Sequence, residues 1–234
     1  QKIRIWNLTT KKEDSLDLPP ETKKVYVYHT ISSVYWHGNG DSLIMLSHKA
    51  WGPESTKKDS HYVLHMELTK FRRVSAIPVR AETLHLAVSP VGSAFAIGGL
   101  EQNPVLQVWP RWTNPIVLEK PKLLKGGHPN DLRSLTFSPD GKQLASASSN
   151  LIRIWDVATG KEKSMIGHVF EPGKGRTIPN PERTPDMPVY ALAFSPDGKI
   201  LMAGGAGIRS GKAGGSGGHI QFWINDKLVM TYDD

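Results

Sequence analysis

The chain has 234 residues, a formal charge of +7, 22 glycines, 17 prolines and no cysteine. That length suits one large β domain, and the lack of cysteine excludes disulfides and thiolate metal sites. No apolar run approaches the roughly 18 residues needed to span a bilayer, and no secretory leader pattern opens the chain. The expected setting is therefore cytoplasmic, without membrane insertion, and the basic balance favours acidic partners.

Gln1-Lys2-Ile3-Arg4-Ile5-Trp6 alternates as a strand does. Residues 9–24, TTKKEDSLDLPPETKK, follow as a turn, a short outer strand and a Pro-Pro break. Asn7-Leu8-Thr9 has the form of a glycosylation sequon but falls inside this strand-and-turn pattern, so we read it as chance. Residues 31–47 give two strands around an HGNG turn, and 49–60, KAWGPESTKKDS, interrupts before a third, HYVLHMEL. His61 and His65 on that strand stand about 13 Å apart, too far to share a metal.

Leu84, Leu86 and Val88 alternate on the next strand, which ends in SPVG. A later strand runs into Trp109-Pro110-Arg111-Trp112, where Pro110 cannot donate to a ladder and ends the pairing. Trp112 is expected to pack on the rim. Residues 120–131 lead into the clearest stretch, 132–168. There Leu132–Ser138, Gln143–Ser148 and Leu151–Val157 read as strands, and a fourth ends at Gly167-His168. Ser138-Pro139-Asp140-Gly141 is a tight turn: proline fixes φ, the aspartate caps its own backbone and glycine supplies positive φ. The proline-rich segment 169–188 is a loop, and a second SPDG turn opens the last unit. That unit carries AGIRSGKAGGSGGH at 206–219 between its second and third strands, and an outer strand near Lys227–Tyr232.

A four-stranded sheet cannot cover both its own faces, so repetition is the next question. The turn glycines Gly40, Gly92, Gly141 and Gly198 recur at intervals of 52, 49 and 57 residues. The third-strand aromatic recurs as Trp6, Trp109, Trp155 and Trp223, with Met66 in that place in HYVLHMEL and Trp36 in the place of Phe137. SPDG, an IRIWD strand and a Gly-His pair, repeating in register, closely resemble the WD-repeat β-propeller.

The resemblance implies an all-β chain of four-stranded antiparallel blades. A half blade spans 1–24, and blades follow at 25–80, 81–124, 125–168 and 169–234. Four and a half blades with a ragged start imply a piece of a larger ring, about seven-bladed, with further blades upstream; a free-standing four-blade ring is the alternative. The resemblance also places His128, Ser148 and Trp155 in a structural hydrogen-bond network. Asn150-Leu151 stands where the family has an Asp-Gly turn. Trp6, Trp109 and Trp223 would hold corresponding structural places.

Turns between first and second strands stay short, whereas the long segments 49–60, 169–188 and 206–219 all emerge on one end of an up-and-down blade. Insertions gathered on one face of a repeat protein mark its binding face. Their charges are +1, 0 and +2. The expected partner-binding residues are Lys49, Trp51, Lys57, Lys58, Phe170, Lys174, Arg176, Arg209 and Lys212.

GIRSGKAG fails as a phosphate loop. Ala206 and Ala213 occupy the places of the required Gly and Ser/Thr, and Gly-Gly-Ser-Gly-Gly and then a strand follow where a helix is needed. No catalytic motif or metal-ligand spacing appears, and first-strand positions such as Ser33, Leu86, Ser134 and Leu192 are apolar or small. The expectation is a non-catalytic scaffold or sensor with no cofactor, binding a protein or another domain of the same protein. A nucleic-acid-binding propeller is the alternative, and a catalytic one has no support in the sequence.

Overall fold

The computed structural model describes residues 2–6, 9–17, 27–36, 42–51, 60–67, 72–79, 83–91, 94–99, 106–109, 121–124, 128, 131–149, 151–167, 188–208 and 216–233. Among them are eighteen strands and no helix. Contacts divide the chain into two compact units, Gln1–Ala81 and Glu82–Asp234.

The first unit holds a two-stranded antiparallel ribbon and one four-stranded meander. In the ribbon β1 (Lys2–Trp6) pairs with β2 (Glu13–Asp17). The meander runs β3 (Val27–Trp36), β4 (Ser42–Trp51), β5 (Ser60–Glu67), β6 (Arg72–Val79) in sequence order. Leu43, Met45 and Leu64 form its buried cluster, with Ile31 and Tyr62 against it. His61 and His65 are buried strand residues, and His61 stacks on His48 with ring centroids 4.3 Å apart.

The second unit contains three meanders of the same kind, the architecture of β-propeller blades. The first is β7 (Thr83–Val88), β8 (Phe95–Gly99), β9 (Gln107–Trp109), β10 (Lys122–Leu123). The second is β11 (Ser134–Phe137), β12 (Gln143–Ser148), β13 (Leu151–Asp156), β14 (Glu162–Gly167). The third is β15 (Val189–Phe194), β16 (Leu201–Ile208), β17 (Ser216–Ile224), β18 (Lys227–Asp233). Strand β9 ends at Trp109, just before Pro110.

Register shows that the repeats are equivalent position by position. Phe137 pairs with Leu144 and Leu144 with Trp155; Phe194 pairs with Leu201 and Leu201 with Trp223. Val88, Phe95 and Trp109 form the same row, and so do Trp36, Leu43 and Met66. The pairing between third and fourth strands shifts at this point in three sheets: between His65 and Met66, Ile154 and Trp155, Phe222 and Trp223. A bulge there bends the outer strand and raises the local twist.

Strand alternation gives the 131–167 blade two apolar faces. Leu135, Phe137, Leu144 and Trp155 pack against Ala87, Ala96, Leu106, Val108 and Leu124 of the preceding blade. Ala145, Ala147, Ile152, Ile154 and Ile166 pack against Leu192, Leu201, Ala203 and Trp223 of the following one. Burying a tryptophan of about 200 Å² at ~25 cal/mol per Å² contributes on the order of 5 kcal/mol before entropy is subtracted, so Trp155 and Trp223 are principal anchors of these interfaces.

The turns between first and second strands nest along one edge. Ser138 donates its hydroxyl to Asp140 Oδ1 at 2.6 Å, and the Lys142 N–H reaches the same oxygen at 3.1 Å. Ser195, Asp197 and Lys199 repeat these bonds at 2.6 and 3.1 Å. Gly141 and Gly198 take φ of 68° and 72°, as the turn requires. A Cβ on Gly141 would meet Ser89 Oγ and Val91 Cγ2 of the preceding blade's turn at 2.6 and 2.7 Å. One on Gly198 would meet Pro139 Cδ at 3.4 Å. Each turn therefore sits on the one before it.

Trp6 pairs with Glu13 as Trp155 pairs with Glu162, but its exposure differs. It is 57% exposed, against 0% for Trp155 and 1% for Trp223. In the ribbon its cross-strand neighbour is Glu13, and among the described residues β1 pairs with β2 alone. Trp109 is half-buried and stacks on Phe95, with centroids 5.6 Å apart and planes at 7°.

Candidate functional site

Two sets of residues bear on function: the buried polar chain in the 131–167 blade and the connections at the blade ends. The buried chain begins at Trp155, whose indole N–H donates to Ser146 Oγ at 2.8 Å. Ser146 Oγ lies 2.7 Å from His128 Nε2, and His128 Nδ1 lies 2.8 Å from Ser148 Oγ. All four side chains are at most 1% exposed. Burial, with the nearby Arg153 guanidinium adding to it, pushes the His128 pKa down to about 3. The imidazole is therefore neutral, with one donor and one acceptor nitrogen. We assign the direction Trp155 N–H to Ser146 O, Ser146 O–H to His128 Nε2, His128 Nδ1–H to Ser148 Oγ, which satisfies every ring nitrogen.

This chain ties the segment before β11 to β12 and β13. Ser146 is the member that the sequence did not single out. The signal was present as two serines, i and i+2, on one face of a strand that ends near a histidine. Leu151 pairs with Ser148 in the ladder, so it belongs to β13 and not to a turn. Asn150 lies outside the described residues. Arg153 lies on the same face, its guanidinium 5.9 Å from the Trp155 ring and paired with Glu162.

Among the described residues, the chain occurs in one blade of the second unit. Ser146 lies opposite Arg153, and the equivalent position opposite Gln221 is Ala203. Trp223 Nε1 is buried without a hydrogen-bond partner among the described residues, as is Trp109 Nε1, whose blade has Ile97 at that place.

The sequence-derived partner residues fall as follows. Lys49 and Trp51 are strand residues of β4, paired with His29 and Val27, so the β4–β5 connection shortens to 52–59. Strand β4 runs on through Lys49 and ends at Trp51. Ala206–Ile208 likewise extend β16 and pair with Ser216–Gly218 of β17, leaving 209–215 as the connection. Lys57, Lys58, Phe170, Lys174, Arg176, Arg209 and Lys212 lie outside the described residues, as do Pro110 and Trp112. In the second unit the register puts two long connections at one strand end. Gly167 pairs with Leu151, Val189 with Gly205 and Ile208 with Ser216, and the Val189 N–H bonds the Ser149 carbonyl at 2.7 Å. At the starts of the innermost strands the exposed Arg133 guanidinium lies 5.7 Å from the exposed Tyr190 ring.

Among the described residues no three His, Asp or Glu side chains could hold a metal ion, and no helix is long and apolar enough to cross a membrane.

The four-stranded antiparallel meanders have the fold of β-propeller blades, and their repeated turns are similar to those of WD repeats. The family model "WD domain, G-beta repeat" matches residues 120–156 and 181–223. Protein HIR1 of Kluyveromyces lactis is 25% identical over 131 residues, covering 50% of this chain and 15% of that protein. A chain in the crystal structure of the mitotic checkpoint complex is similar with a TM-score of 0.64 at 18% identity, over 99% of this chain and 60% of the other. A chain of Kuenenia stuttgartiensis hydrazine synthase gives 0.59 at 18% identity, over 86% and 48%. The chain thus spans only part of each of these proteins.

Proposed function

We propose that this is a non-catalytic WD-repeat scaffold or sensor domain. It binds a protein partner, or another domain of the same protein, through the blade ends that bear the long connections. The observation that carries this reading is the register of the second unit, which brings connections 168–188 and 209–215 to the strand end opposite the nested SPDG turns. Long connections on a rigid frame are where repeat proteins place recognition. Within that end we assign contacts to Phe170, Lys174, Arg176, Arg209 and Lys212. Lys57 and Lys58 play the equivalent part in the first unit's 52–59 connection, with Lys49 and Trp51 on the strand that leads into it. We place the chain in the cytoplasm as part of a larger propeller of about seven blades, with blade limits as given above.

Three loop variants test the reading: Arg209→Glu with Lys212→Glu, Trp51→Ala, and replacement of 209–215 by Asn-Gly. Each should lose a protein captured by the unaltered chain while keeping its melting temperature. Unchanged capture by all three would refute it. The net positive loops favour one rival, nucleic acid. Titration with a random-sequence oligonucleotide separates the two, because counterion release makes its affinity fall steeply with salt.

A further inference from the structure

The outer edges of the sheets carry an inference that does not rest on the loop-bearing ends. The last strand of a meander leaves the N–H and C=O groups of its outer side unpaired, a template that another strand can extend. Charge, proline or brevity blunts such an edge. Strand β2 carries Glu13, Asp14 and Asp17, and β6 carries Arg72, Arg73 and Pro78. Strand β10 spans two residues and follows Pro121. Strand β14 begins Glu162-Lys163, both exposed.

Strand β18 differs. It runs seven residues, Lys227–Asp233, and the stretch between its terminal charges, Leu-Val-Met-Thr-Tyr, holds neither charge nor proline. Val229, Met230 and Tyr232 are each more than half exposed. Register locates the contrast with β14 at one position. Ser164 pairs with Ile154 and Met230 with Phe222, each directly before the blade's Trp, so the bulge residue Lys163 corresponds to Val229. Both strands have the bulge; β14 puts an ammonium group there and β18 an isopropyl group. Among the described residues nothing pairs with the outer side of β18.

We infer that β18 is a dimerisation strand, pairing antiparallel with β18 of a second copy of this chain across a two-fold axis at Met230. The sequence is self-complementary in that register. Lys227 stands opposite Asp233 of the second copy at both ends of the ladder. Leu228 stands opposite Tyr232, Val229 opposite Thr231, and Met230 opposite its own counterpart. Opposite charges, an aliphatic–aromatic pair and a β-branched pair are the cross-strand neighbours that stabilise an antiparallel ladder, and the two-fold axis makes each occur twice. Centring the axis on Val229 would set Lys227 against Thr231, and centring it on Thr231 would set Val229 against Asp233. The shared ladder is about 23 Å long and joins two four-stranded blades into one continuous sheet.

Sedimentation equilibrium of the whole chain at concentrations up to about 0.5 mM is the test. The expected result is a reversible dimer, with β18 amides that exchange with deuterium more slowly in the dimer than in the monomer. Val229→Lys, which gives β18 the charge β14 already has, should weaken association at least about ten-fold. Lys227→Asp and Asp233→Lys each set like charges opposite one another and should weaken it similarly. The two together should restore it to within about three-fold of the unaltered chain. That exchange of charges keeps the test decisive if Val229→Lys disturbs the fold. A monomer throughout, a dimer whose β18 amides exchange as in the monomer, or a double variant no tighter than the single ones would each overturn the inference. Replacing 209–215 should leave the dimer intact, so failure here and failure of the loop-end reading are separate results.

Discussion

Trp155 and Ser146, paired across 2.8 Å inside a blade interface, stand in a relation that Trp223 and Ala203 reproduce in register but without the acceptor. Ala203→Ser should therefore stabilise the chain by about 0.5–1.5 kcal/mol, since the hydroxyl meets an indole N–H already in place. Ser146→Ala should cost about 1–3 kcal/mol, because it strips Trp155 and His128 of a partner inside a dry interface. Urea unfolding of the two variants beside the unaltered chain checks both signs.

Acid should act through His128. Its folded pKa of about 3 lies below its usual 6.5, so between those limits the unfolded chain binds the extra proton. Stability contributed by the neutral ring is fully present above pH 6.5. It falls by up to ~1.4 kcal/mol per pH unit as pH drops from there, and levels off near pH 3. His128→Gln should flatten the slope between pH 6 and 4 whatever its overall stability. Asp140 and Asp197 act lower on the scale. Ser138 and Ser195 hydroxyls, then backbone N–H groups, hold both carboxyls below the usual value, so their share is present above pH 3.8 and goes as pH falls through the depressed folded values. Unfolding midpoints measured across pH 3–8 test the assignment.

Two matching glycines should respond differently to alanine. Both hold positive φ, which costs an L-residue about 1–2 kcal/mol. At Gly141 the new methyl also strikes Ser89 and Val91, whereas at Gly198 it reaches only ordinary contact with Pro139. Gly141→Ala should be the more damaging by at least about 1 kcal/mol, and equal losses in thermal unfolding would contradict the nested-turn geometry.

Asn225 and Asp226 both adopt positive φ, 48° and 60°. Two-residue hairpin turns of this kind favour Asn-Gly. Asp226→Gly should raise stability by about 0.5–1 kcal/mol, read as a higher melting temperature.

The blade plan was legible because its punctuation is chemical. Ser138–Gly141 and Ser195–Gly198 each admit one backbone path, and the tryptophans count register. Legibility failed where composition hides conformation. Ala206–Ile208 and Ser216–Gly218 are glycine-rich, with low strand propensity, yet the ladder on either side carries them into β16 and β17. Lys49 and Trp51 look like loop residues beside Gly52-Pro53, but they continue a strand already paired. Strand β10 is only Lys122–Leu123, too short for any alternation to show. In the candidate site, Ser146 was missed because a small hydroxyl among alanines reads as filler until its partners are visible. The exposure of Trp6 depends on neighbours that no local pattern encodes.

The seating of Gly141 on Ser89 and Val91, and of Gly198 on Pro139, gives chain growth a direction. During synthesis each newly emerged hairpin finds a finished predecessor to template its own tight corner, so the unit can be built in the order of translation. A bulky side chain at one corner would then lift that turn off the one before it.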